Sequence, residues 1–101
     1  MRVKLSKDAG RFLRSEQQYL AQFNPHAADA ALRQIRAGLR LLGEYPQAGS
    51  PYEALDGRRR FVAGSYVIDY RIEGAVVNVS HIRHGRQLPS DLAADDPFDA
   101  G

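Results

Sequence analysis

Hydrophobic side chains recur at two different intervals along this chain, and the change of interval divides it into a helical half and a strand half. Between Leu5 and Leu42 the apolar residues return every three or four positions, which is typical of a helix with one buried face. After Arg58 apolar and polar residues alternate, which is the period of a β-strand. This order predicts a two-layer α+β domain in which a helix pair covers one face of a sheet.

The chain is predicted to open with a short strand and then a helix. The sequence RVKL, Arg2 to Leu5, alternates polar and apolar side chains as a strand does. Ser6 follows it, and its hydroxyl can accept a hydrogen bond from the first turn of a helix. We therefore expect the N-terminal strand to lead directly into the first helix.

A second helix is predicted to follow almost without a break. Proline disfavours helical geometry in the residue before it but fits the first turn of a helix, so Asn24 and Pro25 end one helix and begin the next. Gly43 and Pro46 are expected to end the second helix. Because the link between the helices is so short, they should fold back on each other as a hairpin.

The second half of the chain predicts three antiparallel strands, reached through a loop at Tyr45 to Gly57 that is rich in proline and glycine. The segments RRRFVA, YVIDYRI and AVVNVSHI have strand-like patterns, and glycines between them allow tight turns. In the middle strand the large apolar side chains share one face, at Tyr66, Ile68, Tyr70 and Ile72. The expected architecture is a helix hairpin packed on an antiparallel β-meander.

The last of these strands does not alternate cleanly. Val77 and Val79 would point to one face of a regular strand, whereas Val76 and Ile82 would point to the other. Either a β-bulge or burial on both faces would reconcile the four positions. The sequence leaves both alternatives open.

Composition limits the kinds of protein this can be. The chain has 101 residues, enough for one domain, and no cysteine, which excludes disulfides and thiolate metal sites. It has no apolar run of the roughly 20 residues needed to span a bilayer, and no signal-peptide core at its start. We expect a cytoplasmic protein with no membrane partner, no cofactor and no metal ion.

Charge is distributed unevenly along the chain. Residues 1–89 contain all fourteen basic residues against eight acidic ones, whereas residues 90–101 contain four aspartates and no basic residue. We expect a single folded domain over residues 1–89 and an acidic, flexible tail over residues 90–101. A basic domain indicates a polyanion or an acidic protein as partner, and an arginine-rich solvated surface is the alternative.

Basic residues gather at two places in the predicted sheet, namely the RRR run at Arg58 to Arg60 and the segment SHIRHGRQLP. Histidine titrates near neutral pH and arginine holds phosphates or carboxylates, so this combination suits acid–base chemistry on RNA or contact with another macromolecule. Each residue also has a structural alternative, because arginine stems can cover apolar surface and histidines can pack within or end a strand. Three further arginines, Arg33, Arg36 and Arg40, are interpreted as a solvated helix face.

Five segments together resemble the RelE/ParE superfamily of small toxins from bacterial type II toxin–antitoxin pairs. They are VKLSKDAGRFL, YLAQFNPHAADAALRQI, LLGEYPQAG, RRFVAGSYVIDYRI and VVNVSHIRHGRQLP, spread over about residues 3–89. Each segment is degenerate by itself, but their order and spacing are specific in combination. The resemblance implies a compact helix-hairpin-on-sheet fold and a cognate antitoxin that wraps and silences the toxin.

The superfamily divides according to what the toxin attacks, and the resemblance is closer to the ParE-like branch. ParE-like toxins inhibit DNA gyrase without a known hydrolytic site, and the ending HGRQLP resembles many of them. This branch implies an inhibitor that binds its target and has no catalytic residues. The residues expected to contact the target or the antitoxin are Arg58, Arg59, Arg60, Arg71, Arg83, His84 and Arg86.

RelE-like toxins provide the alternative, since they cleave messenger RNA in the ribosomal decoding site. Such cleavage needs a base, an acid and cations around the phosphate. The candidates here are His81, His84, Arg59, Arg83 and Arg86. Two departures weaken this branch: no tyrosine follows the last strand, and the two lysines lie far away in sequence. A third hypothesis is a non-toxic descendant that binds a protein partner.

Overall fold

The computed structural model describes residues 1–52, 54 and 57–85, so the predicted tail at residues 90–101 lies outside the described part. Two helices pack on one face of a five-stranded sheet, which confirms the predicted α+β class. Among the described residues, neither helix combines the length and hydrophobicity needed to cross a membrane. The elements are β1 (Arg2–Leu5), α1 (Lys7–Phe23), α2 (Pro25–Glu44), β2 (Ser50–Pro51), β3 (Arg58–Ala63), β4 (Tyr66–Glu73) and β5 (Val76–His84).

The strands lie in the order β1-β5-β4-β3-β2. Strands β3, β4 and β5 form the predicted antiparallel meander, whereas β1 pairs in parallel with β5 at one edge. The predicted loop between α2 and β3 contains a two-residue strand, β2, which pairs with β3 at the other edge. Neither edge pairing could be predicted from the local pattern, because both depend on partners distant in sequence or on very short segments.

The caps of the helices follow the predicted chemistry at three of four ends. The Ser6 hydroxyl accepts from the Ala9 amide at 3.0 Å, which begins α1. Asn24 ends α1 and caps α2, because its side-chain oxygen accepts from the amides of His26 at 3.0 Å and Ala27 at 3.3 Å. These caps satisfy amides that have no partner within the helix.

Of the two residues predicted to end α2, Pro46 does follow the helix end, but Gly43 lies inside the helix. The helix continues through Gly43 to Glu44, and the amide of its cap residue, Tyr45, donates to the Leu41 carbonyl at 2.7 Å. Gly43 serves instead to let β1 pass close to the helix, since a Cβ there would lie 2.9 Å from the Met1 carbonyl oxygen. The glycine is required by packing between elements rather than by the geometry of a helix end.

The core lies between the helix pair and the sheet. Its fully buried large side chains come from α2, β4 and β5, namely Ile35, Leu42, Ile68, Tyr70, Val77 and Val79. Gly38 allows α2 to approach the sheet, because a Cβ at that position would lie 2.7 Å from the Ala63 Cβ. The close contact lets a small domain bury a continuous, densely packed apolar layer.

A β-bulge in β5 resolves the irregular pattern of that strand. Asp69 pairs with His81 and Tyr70 pairs with Val79, so Ser80 is an extra residue with no register partner in β4, and its hydroxyl donates to the Asp69 carbonyl at 3.2 Å. The extra residue shifts the alternation by one, and Val77, Val79 and Ile82 all reach the helix-covered core. Of the two alternatives in the sequence, the bulge is therefore the one that occurs.

The loop after α2 is held by two side chains of the sheet. The Tyr70 hydroxyl donates to the Pro46 carbonyl at 2.6 Å and accepts from the Gly49 amide at 2.9 Å. The Arg59 guanidinium donates to the carbonyls of Gly49 at 2.7 Å and Gln47 at 3.1 Å. These bonds satisfy backbone groups that the loop cannot pair internally, and they fix the path into β2 and β3.

Replacing the buried tyrosine tests this loop anchor. Tyr70→Phe removes the hydroxyl and leaves the Gly49 amide without a partner in the core, so the free energy of unfolding should fall by about 1–3 kcal/mol. Tyr45→Phe is the matched control, because Tyr45 is 64% exposed. Loss of its hydroxyl should lower the free energy of unfolding by about 0.5 kcal/mol or less. Urea denaturation of both variants measures the difference, and equal losses would contradict the anchoring role.

Candidate docking surface on the open face of the sheet

The face of the sheet opposite the helices, here called the open face, carries most of the predicted basic cluster. Cross-strand register places Arg58 beside Arg71, Arg60 beside Asp69, and Asp69 beside His81. Arg83 lies on the same face, because it pairs with Val67 two positions along β4 from Asp69. Four of the predicted contact residues therefore share one surface, the arginine face, defined as Arg58, Arg60, Arg71 and Arg83.

A buried carboxylate lies at the centre of the arginine face. Asp69 is 4% exposed, and its Oδ1 accepts from Arg60 Nε at 2.8 Å while its Oδ2 accepts from Arg83 Nη2 at 2.6 Å. The three residues come from three adjacent strands, so one anion links β3, β4 and β5 across the open face. Buried charges persist in proteins when they are paired and hydrogen-bonded, and this cluster meets both conditions.

Arg60 is held from two directions. Burial by itself would lower the pKa of Arg60, but its hydrogen bond and charge interaction with Asp69 more than compensate, so the pKa rises above its ordinary value. Its guanidinium carbon also lies 4.3 Å above the centre of the Tyr52 ring, within the range of a cation–π contact. Arg60 is therefore permanently charged and fixed in position, and it shares the single negative charge of Asp69 with Arg83.

Arg58 and Arg71 form a different part of the same face. They stand directly opposite each other on β3 and β4, where like charges repel and destabilise the pair. The Nε of Arg58 is buried and has no hydrogen-bond acceptor in the part of the chain that the structure describes. Arg71 is exposed to solvent. An anionic group from another molecule would relieve both the repulsion and the missing acceptor.

The structure separates Arg59 from its two neighbours in the RRR run. Because side chains alternate along a strand, Arg59 lies on the helix-side face, where it donates to the backbone carbonyls of the loop after α2. Its guanidinium is therefore engaged inside the protein. A contact role for Arg59 stays a prediction. It would require Arg59 to exchange its hydrogen bonds to the loop carbonyls for bonds to the partner molecule.

The two histidines are also separated. His81 is exposed and shares the open face with Asp69, whereas His84 lies on the helix side, where its ring meets the Tyr66 ring edge-on at 5.4 Å. Tyr66 is buried between His84 and Phe12, whose ring centre lies 6.1 Å away. Of the predicted set, Arg86 lies outside the described residues.

Tyr66 also makes a polar contact beneath the sheet. Its hydroxyl donates to Glu16 Oε2 of α1 at 2.7 Å. Burial raises the pKa of Tyr66 well above its ordinary value, and the hydrogen bond and negative charge of Glu16 raise it further. The contact joins α1 to the middle strand and satisfies a hydroxyl that would otherwise be buried alone.

Asp69 is the residue that sequence reasoning missed. A signal was present, since an aspartate in the apolar strand YVIDYRI must find a cationic partner if it is buried. The identity of the partners depended on register, and for Arg83 on the bulge at Ser80, which local pattern did not determine. Within the described residues, no three histidine, cysteine or carboxylate side chains converge as metal ligands would.

Comparisons with known proteins agree with this small α+β fold. Residues 3–89 match the family described as ParE toxin of type II toxin–antitoxin system, parDE. The chain therefore belongs to the ParE toxin family.

Two individual proteins are similar to the chain. Toxin RelE2 of Caulobacter vibrioides is 33% identical over 70 residues, which are 69% of this chain and 78% of that toxin. The solved structure of a chromosomal ParDE TA system from P. aeruginosa superposes with a TM-score of 0.71 at 20% identity. The match covers 83% of this chain and 95% of that one, which shows that the two share a fold.

Neutralising the central carboxylate tests the buried ion cluster. Asp69→Asn leaves two half-buried guanidinium groups without their counter-charge, and the free energy of unfolding should fall by about 3 kcal/mol. The matched control is Asp8→Asn, because the Asp8–Arg11 pair is about two-thirds exposed. The control substitution should lower the free energy of unfolding by about 1 kcal/mol or less. A similar decrease in both variants would contradict the central role of Asp69.

The raised pKa of Tyr66 predicts a loss of stability at alkaline pH. The unfolded chain releases this phenolic proton near pH 10, whereas the folded protein retains it, so the contribution is complete below about pH 10. As the pH rises toward the folded-state pKa, the contribution is lost by up to about 1.4 kcal/mol per pH unit. Unfolding of the unsubstituted protein should therefore depend more steeply on alkaline pH than unfolding of Tyr66→Phe. Parallel curves would contradict the assignment.

Proposed function

We propose that this protein is the toxin of a type II toxin–antitoxin module, that a cognate antitoxin neutralises it, and that it acts by binding and blocking DNA gyrase. Membership of the ParE toxin family supports the toxin role. The arginine face supplies a surface on which another macromolecule can dock. Two alternatives must then be distinguished: the surface binds a target protein and blocks it, or it cleaves RNA.

The arrangement of the histidines favours binding over cleavage. Cleavage of RNA requires an acid, a base and phosphate-binding cations within hydrogen-bond reach of one phosphate. His81 and His84 lie on opposite faces of the sheet, so they cannot act together on one bond from these positions. This separation is the single observation that carries the non-hydrolytic proposal.

The ion cluster supports the same choice. Arg83 was a candidate phosphate clamp of the cleavage hypothesis, and its Nη2 donates to the Asp69 carboxylate. A phosphate approaching Arg60 or Arg83 would have to compete with that carboxylate for the same guanidinium hydrogen bonds. Arg58 and Arg71 do not share this obstacle, and we assign to them the main contacts with the target.

One observation favours the alternative. His81 is exposed on the same face as the arginines, where a single histidine could exchange a proton with a bound substrate. A ribosome-dependent messenger-RNA endonuclease built on His81 is therefore the second candidate function. It predicts a cut transcript, which the gyrase hypothesis does not.

Supercoiling by purified gyrase is the test of the first candidate. Added protein should inhibit supercoiling, and Arg71→Glu should weaken the inhibition by about tenfold or more, equivalent to about 1.4 kcal/mol of binding free energy. Arg36→Glu is the control, because Arg36 is an exposed arginine on α2, away from the arginine face. Equal effects of the two substitutions would show that only net charge matters.

Translating ribosomes provide the opposing assay. The gyrase hypothesis predicts intact transcripts in the presence of the protein. Transcript cleavage that disappears in His81→Ala but persists in His84→Ala would overturn it in favour of the endonuclease. Normal growth on expression without an antitoxin, together with inactivity in both assays, would favour a non-toxic descendant that binds a partner.

A further inference from the structure

One row of side chains, here called the sheet row, crosses the whole sheet on its open face. The register places Lys4 beside Asn78 and Asn78 beside Arg71. Arg71 in turn lies opposite Arg58 on β3. The Tyr52 amide donates to the Arg58 carbonyl at 2.7 Å, which extends the row to the residue that follows β2. Because directly paired residues point to the same face of a sheet, an aromatic ring, three cations and an amide lie in one line.

The aromatic end of the sheet row offers a surface for a planar ring. The Arg60 guanidinium covers one face of Tyr52 at 4.3 Å from the ring centre, and Tyr52 is partly exposed. Nucleobases stack on aromatic side chains of this kind. The aromatic residues of β3, β4 and β5 belong instead to the helix-covered core, namely Phe61, Tyr66 and Tyr70. The described part of the sheet therefore provides its open face with a platform for a single base.

The next two members of the sheet row converge on an anion. Arg58 and Arg71 are cross-strand partners, and adjacent strands lie about 4.8 Å apart, so neighbouring phosphates can contact both guanidinium groups. The Nε of Arg58 is buried and has no acceptor among the residues that the structure describes. A phosphate oxygen would supply that acceptor and would offset the repulsion between the two arginines.

The far end of the sheet row opens into a polar concavity of about 410 Å³ on the open face. Lys4, Arg71 and Ser80 contribute to its walls, and Glu73 is the acidic residue among them. Glu73 accepts a hydrogen bond from Asn78, so its carboxylate is engaged within the protein. The volume falls within the roughly 300–1,000 Å³ of ordinary ligand sites. The concavity has room for further phosphates beyond Arg71.

We propose that the sheet row binds a nucleoside polyphosphate. The base stacks on Tyr52, on the side of the ring opposite Arg60. The first phosphates bind Arg58 and Arg71, and the last one reaches toward Lys4. The order of side chains matches the order of groups in the ligand, because one aromatic ring is followed by successive cations. This site goes beyond the proposed function, and a bound nucleotide would occupy the two arginines to which we assign the target contacts.

The composition of the sheet row favours a nucleotide over a strand of nucleic acid. A single strand carries one base for each phosphate, and proteins that bind such strands provide aromatic platforms for successive bases. The sheet row instead contains one ring, at Tyr52, and three cations, at Lys4, Arg58 and Arg71. One base with several phosphates fits this ratio.

Binding of ATP to the isolated full-length chain tests the proposal. Calorimetric titration should show saturable binding of ATP. Adenosine lacks the phosphates and inorganic tripolyphosphate lacks the base, so each should bind about tenfold more weakly than ATP. Absence of saturable ATP binding overturns the proposal. Equal affinities for ATP and tripolyphosphate overturn it too, because the sheet row would then bind any polyanion.

Substitution of Tyr52 separates the base contact from the phosphate contacts. Tyr52→Leu should weaken ATP binding by about tenfold but change tripolyphosphate binding by about twofold or less, and the retained binding shows that the variant is folded. Tyr45→Leu is the matched control, because Tyr45 is 64% exposed and lies at the end of α2. Equal losses of ATP affinity in the two variants, or equal losses of both ligands in Tyr52→Leu, contradict stacking on Tyr52.

Substitution of Arg58 tests the phosphate contacts. Arg58→Gln removes charge-assisted hydrogen bonds and should weaken both ATP and tripolyphosphate by about tenfold or more. Arg36→Gln is the matched control, because Arg36 is an exposed arginine on α2. It should change either affinity by about twofold or less. Equal effects of the two substitutions would mean that only net charge matters, which overturns the site.

Amide resonances of the unsubstituted chain locate the ligand without any variant. Saturation with ATP should shift the amides of Tyr52, Arg58 and Arg71 and leave those of α2 in place, and the reverse pattern overturns the site. A short oligothymidylate is the competing ligand, and binding about tenfold tighter than that of ATP would replace the nucleotide with a nucleic-acid strand. Gyrase takes part in none of these measurements, so the nucleotide site and the proposed function can fail separately.

Discussion

The Asp69 carboxylate is the interaction on which the organisation of this sheet depends. A buried anion must be compensated, and here the compensation comes from guanidinium groups on both neighbouring strands, Arg60 and Arg83. A slip of one residue in either pairing would move one arginine to the opposite face and leave the charge unpaired. The same bonds that fix register also determine which cations of the open face are paired with Asp69. Asp69 therefore contributes both to the stability of the sheet and to the distribution of charge on its open face.

The alternation of side chains gives three consecutive arginines different roles. Arg58 and Arg60 face the open side, whereas Arg59 reaches the loop after α2 and binds its carbonyls. Arg60 is further distinguished by Asp69 and the Tyr52 ring. The three arginines look like a uniform basic patch in the sequence, but their roles differ. Arg58 lies on the open face, Arg60 is ion-paired with Asp69, and Arg59 anchors the loop after α2. Charge counts along a strand overstate the surface potential for this reason.

Local chemistry predicted the elements but not all of their connections. The caps at Ser6 and Asn24 and the meander follow from spacing and side-chain type, and the structure confirms them. The end of α2 was predicted wrongly at Gly43, because glycine signals both helix ends and close packing, and only the position of β1 distinguishes them. The ion cluster and the separation of His81 from His84 also escaped prediction. Both depend on register across β4 and β5, which periodicity within one strand does not contain.

The parallel pairing of β1 with β5 has a consequence for how the protein folds during its synthesis. Residues 2–5 pair with residues 76–79, so β1 is synthesised well before the strand with which it pairs. The helix hairpin is local and can form early, whereas the sheet edge closes only after nearly the whole domain has left the ribosome. During elongation the nascent chain carries unpaired strand backbone and an incomplete core. A toxin of this topology completes its sheet only after β5 has been synthesised, so a partner that recognises the folded sheet can bind only from that point on.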